Sequence, residues 1–101
     1  METEFHMSKL FGSFLADGDA GNRFRFCEVE SALGMGNVVV FDFEGVTNMT
    51  DSFSNACFGN LFADHPEADN GLNIHFKNCS PVVKMFLQRA IGVGRSRRQH
   101  A

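Results

Sequence analysis

The sequence predicts a small α/β domain, a mixed sheet or a parallel one with helices packed against it. Segments of strand character alternate with segments of helical period along the chain. An unbroken apolar strand, Val38 to Phe43, lies mid-chain, and the segments that follow open on clusters of short polar residues. With 101 residues there is room for one core that buries about two thirds of the unfolded surface. Residues 1–94 are expected to form a single domain and 95–101 a frayed basic tail.

Residues 4–10, EFHMSKL, alternate loosely and suit a short first strand, which Phe11 to Phe14 continue as a turn or second edge strand. Asp17 to Gly21 is dense in turn formers. Phe26, Val29 and Leu33 then recur at spacings of three and four, predicting a helix over about 21–34 that Gly34 and Gly36 end. Val38 to Phe43 is β-branched and aromatic with apolar side chains on both faces, as in a central strand covered on both sides.

From Phe53, the positions Ala56, Cys57, Phe58 and Leu61 trace one broad apolar face and predict a helix over about 52–63. The loop Asp64 to Gly71 is acidic and rich in breakers. Beyond it Leu72, Ile74 and Phe76 alternate with Asn73, His75 and Lys77, the pattern of a strand with one wet face. Ser80 and Pro81 supply an N-cap and a first helical residue with preset φ, and Val82, Val83, Phe86, Leu87, Ala90 and Ile91 carry the stripe of a last helix. Gly92 and Gly94 are expected to end it.

Composition narrows the function. Twelve Phe with no Trp and no Tyr make a purely apolar aromatic set suited to a core. The formal net charge of −3 argues against broad nucleic-acid binding, which needs clustered cations; Arg95, Arg97 and Arg98 are the exception and read as a solvated tail. Val38 to Phe41 is too short to span a bilayer, so no membrane role is expected. Glu2 and Glu4 stand where a secretory signal carries positive charge, so a cytoplasmic protein is expected. Cys27, Cys57 and Cys79, odd in number and far apart, suit small buried hydrophobes better than a disulfide framework or zinc site.

Thr50, Asp51 and Ser52 at the start of the second helix are the leading candidate site. Short polar side chains there cap free backbone N–H groups and also present a hydroxyl at the positive end of a helix dipole. A phosphate on Ser52 would accept N–H bonds at that end, whereas Asp51 and Glu44 would repel it.

Two segments, FDFEGVTNMTDSFSNACFG (residues 41–59) and NCSPVVKMFLQRAIG (78–92), resemble strand-to-helix junctions of STAS domains, named after sulphate transporters and anti-sigma factor antagonists. The resemblance is closer to the bacterial STAS-like family of unknown function and is strongest over residues 37–93. It implies a small STAS-like sheet with helices packed against it. Counting forward from Asp42, Ser52 matches the serine that a kinase of the histidine-kinase ATPase superfamily phosphorylates in anti-sigma factor antagonists. Those antagonists usually read Asp-Ser-Ser-Gly or Asp-Ser-Thr-Gly where this chain has Thr50-Asp51-Ser52-Phe53; the Phe is shared with the STAS-like family. The resemblance thus implies a non-enzymatic protein-interaction domain in bacterial signalling. It places partner contact at Thr50, Asp51, Ser52 and Phe53, a switch at Ser52, and a histidine-kinase-type ATPase or regulatory protein as partner.

Two alternatives stand beside this reading, a small catalytic domain using Cys57 or Ser52 and an accessory domain without a switch. The parts for catalysis are Cys57, Ser52, His65, His75 and Asp42, and none sits in a diagnostic motif. Cys57 falls on the apolar face of its helix, His65 precedes Pro66 with no partner nearby in sequence, and His75 reads as a surface histidine beside Lys77. His6, His65, His75, Asp64, Glu67 and Asp69 show no recognised ligand spacing, so neither metal nor cofactor is expected. Gly34-Met35-Gly36 precedes a strand, the wrong order for a dinucleotide loop.

Overall fold

Val38–Asp42 is the middle strand, β3, of a three-stranded parallel sheet in the computed structural model, which describes residues 1–99. Its neighbours are β1, Glu2–His6, and β5, Ile74–Lys77, in the order β1-β3-β5. A two-residue parallel ladder joins β2, Phe14–Leu15, to β4, Asn48–Met49. Four helical segments complete the α/β fold. They are α1, Met7–Phe11; α2, residues 18–34; α3, residues 51–64; and α4, Pro81–Gln99, with a 3-10 turn at Pro66–Asn70.

The ladder register sorts the sheet into two unlike faces. Phe5 pairs with Phe41 and Phe41 with Phe76, and these rings stack across the strands at 5.9 and 5.6 Å. Phe58 of α3 stands edge-on against Phe41 at 5.1 Å, so the helices bury this face. The other face carries Glu2, Glu4 and His6, then Val38, Val40 and Asp42, then His75 and Lys77. Glu2, His6, His75 and Lys77 are exposed there. Val40 is buried without joining the main core. The sheet therefore has helices on one face, where the run of valines suggested cover on both.

In α2 and α3 residues five apart share the buried face. Phe24 and Val29 in α2, and Phe53 and Phe58 in α3, are all buried because each helix contains a π-turn, Arg25–Val29 and Asn55–Gly59. The extra residue rotates the following turn, which leaves Phe26, expected on the inner face, 70% exposed. Cys57 is fully buried as expected, but Cys79 is half-buried and Cys27 exposed.

Several boundaries also move. The first strand ends at His6 because the buried Met7 opens the one-turn helix α1. Asp17 accepts a hydrogen bond from the Asp19 N–H at 2.9 Å, so the expected turn at 17–21 is the first turn of α2. Leu72 is exposed and precedes β5. The last helix continues through Gly92 and Gly94 to Gln99, so the expected frayed tail is helical as far as that residue, and His100 and Ala101 lie outside the described residues. Arg95 and Arg98 each bond Asp69 at 2.8 Å, and Arg97 reaches Asn60. Among the described residues no helix is long and apolar enough to cross a membrane.

Candidate functional site

The chain leaves β3 at Asp42, makes a tight turn through Gly45 at φ +86°, buries Val46 and Met49, and enters α3 at Thr50. Thr50 is the N-cap. Its Oγ1 accepts from the Phe53 N–H at 3.1 Å and donates to the Ala16 carbonyl at 2.8 Å, so the hydroxyl ties the helix start to the loop before α2. Asp51 pairs with Arg89 of α4 at 2.8 Å. Phe53 is 1% exposed and packs edge-on against Phe11 at 5.1 Å, so its ring serves the core and cannot supply the surface contact expected of it. Ser54 is buried and donates to the Thr50 carbonyl at 2.8 Å. Of the three hydroxyls in this turn, Ser52 alone is exposed.

Ser52 stands where two helix N-termini meet. Its Oγ lies directly against Gly18, the first residue of α2, and any Cβ at position 18 would collide with it. From this contact a polar groove of about 430 Å³ runs between α2 and α3, lined by Asp17, Asp19, Asn22, Ser52, Ala56 and Asn60.

Beneath the groove lies Arg25, a buried charge. It is stabilised because its side chain reaches the π-turn of α3. In α3 the Asn60 N–H bonds the carbonyl of Asn55, five residues back, which releases the Ala56 carbonyl from the backbone ladder. Arg25 Nε donates to that carbonyl at 3.1 Å and the Asn60 side chain donates to it at 3.0 Å, while the other end of the guanidinium donates to Asn22 Oδ1 at 2.8 Å. Gly18, Asn22, Arg25 and Asn60 were not candidates from sequence; they come from helical periods whose π-turns leave no compositional mark.

The catalytic parts are not brought together. Cys57 is in the core, where burial pushes its thiol well above the ordinary range and keeps it protonated. Asp42 and His75 belong to the open face of the sheet, away from the helical layer that carries Ser52. Asp42 is held below the ordinary carboxylate range by the hydrogen bond from Asn78 and then by that from the Glu44 N–H. His65 has the partners that sequence distance hid, with Nδ1 on Glu67 and Nε2 on Glu30, both at 2.8 Å. Burial opposes charge on its ring, but the hydrogen bonds that the ring donates to the two carboxylates outweigh it and hold the pKa above the ordinary value.

A family model described as a STAS-like domain of unknown function matches residues 20–84. The match takes in Asn22, Arg25, Ser52, Ala56 and Asn60, and begins just after Gly18. No curated protein and no solved structure matches the chain significantly.

Proposed function

Because the chain belongs to the STAS-like family of unknown function, we propose that it is a non-enzymatic interaction domain. A protein partner docks where the α2 and α3 N-termini meet, and Ser52 regulates that docking. One observation carries the reading: the single exposed hydroxyl of the α3 entry turn lies at the head of a polar groove, while its neighbours are committed to capping and core packing.

The same geometry gives phosphorylation a consequence. A phosphate on Ser52 gains the N–H groups and dipole of the first turn of α3, an effect of about 0.3–1 kcal/mol per favourable charge at an exposed helix end. Around it stand Asp17 and Asp19 of the groove and the adjoining Asp51, whose charges oppose the dianion. With the hydroxyl already against Gly18, the modified side chain turns outward and changes the surface that the partner meets. The partner implied by the resemblance is a histidine-kinase-type ATPase or a regulatory protein, in bacterial cytoplasmic signalling.

The test is calorimetric titration of this chain against a histidine-kinase-type ATPase encoded beside its gene. Ser52→Glu is expected to weaken association more than tenfold while His75→Ala, on the open sheet face, leaves it unchanged. Equal affinity for the wild type and Ser52→Glu rules out docking at this groove.

A further inference from the structure

The parallel register between β1 and β3 sets His6 beside Asp42, and Glu4, two residues earlier, projects from the same open face. One ligand atom from each of the three lies within 4.8 Å of the others. We propose that Glu4, His6 and Asp42 bind a divalent first-row transition-metal ion, with Zn²⁺ as the representative, at the carboxyl end of the sheet.

Three further features support a built site. Asp42 is only 5% exposed, yet both of its short hydrogen bonds, from Asn78 Nδ2 and from the Glu44 N–H, fall on Oδ1 at 2.9 Å. Oδ2 is left turned toward His6 Nδ1, 3.3 Å away, so one carboxylate oxygen is anchored and the other directed outward, as a ligand oriented by its outer partners would be. Asn78 reaches Asp42 from a left-handed backbone, φ +58°, the only such value outside glycine among the described residues. The corner also holds a cation already, for Lys77 Nζ sits 2.6 Å from Glu4 Oε1 and Lys77 pairs with Asp42 in the ladder.

The donor set selects the class of ion. Imidazole with two carboxylates suits Zn²⁺, Mn²⁺, Fe²⁺ or Co²⁺, whereas Mg²⁺ and Ca²⁺ favour oxygen alone. Ligands of a tetrahedral ion with bonds of about 2.1 Å stand roughly 3.4 Å apart. His6 and Glu4 are partly exposed, and small rotations of their side chains close the remaining distance. Three protein ligands leave a fourth position for water. The ammonium of Lys77 competes with the ion for Glu4, so removing it favours the ion. A sequence scan could not find this set, because β1 and β3 lie more than thirty residues apart and only the register joins them.

Calorimetric titration of the untagged chain with Zn²⁺ tests the proposal. One saturable equivalent is expected in the wild type, weakened at least tenfold in His6→Ala and in Glu4→Gln, and tightened severalfold in Lys77→Met. Glu4 and His6 lie outside the core, and thermal denaturation of each variant verifies that it is folded. No saturable uptake, uptake that survives both ligand substitutions, or weaker binding in Lys77→Met would each overturn the site.

Discussion

The Ser52 hydroxyl packs directly against the backbone of Gly18, so the first turns of α3 and α2 meet with only that small side chain between them. Gly18→Ala forces the hydroxyl to rotate and presses a methyl to 3.1 Å from the Ser52 carbonyl oxygen. The expected loss is about 0.5–1.5 kcal/mol, a few degrees in Tm for a domain of this size. Part of it returns in Gly18→Ala/Ser52→Ala, with a coupling of about 0.5 kcal/mol or more in the double-mutant cycle. Strictly additive losses would show that the two residues do not touch.

Gly94 makes the corresponding contact between α4 and α3. A Cβ there would run into the Gly59 carbonyl oxygen, a backbone atom that cannot rotate aside, and would stand 3.1 Å from the Ala63 nitrogen. Alanine would normally gain about 1 kcal/mol over glycine inside a helix. Gly94→Ala is instead expected to lose about 1–3 kcal/mol as the helices are pushed apart. Chemical denaturation gives the sign directly, and a stabilised variant would refute the close crossing.

His65 bridges Glu30 at the end of α2 to Glu67 of the 3-10 turn. Its pKa is raised by the two carboxylates despite burial, so the protonated clasp contributes fully below the ordinary histidine value of 6.5 and is lost as pH climbs through the higher folded value. Tm should fall across that rise in the wild type, and the corresponding drop should vanish in His65→Ala. An identical pH profile in both proteins would remove His65 as the cause.

Cys27 and Cys57 should separate cleanly in a thiol assay. Cys27 is exposed and should react promptly with an aromatic disulfide reagent, whereas Cys57 should react only on unfolding. Prompt native-state alkylation of Cys57 would contradict its place in the core and restore a catalytic reading.

How far the sequence speaks depends on the range of the interaction. The strand Val38–Asp42, the helix start at Thr50 with Ser52 in its first turn, and the entry at Pro81 are set by local composition and were legible. Gly94 was misread as a stop because a glycine inside a helix looks the same whether it ends the helix or admits a neighbour; Gly59, which decides the matter, lies far back in the chain. Phe26 was misplaced by a π-turn that no residue announces. The links His65 to Glu30 and His6 to Asp42 were hidden for the same reason, since each spans about thirty-five residues and depends on how the elements come together.

Phosphate transfer to Ser52 tests the proposed switch most directly. Incubation with the neighbouring histidine-kinase-type ATPase and ATP, followed by intact-mass and peptide mass spectrometry, is predicted to show one added phosphate on Ser52 and none in Ser52→Ala. Modification at another residue, or an unmodified chain with an active kinase, would contradict it.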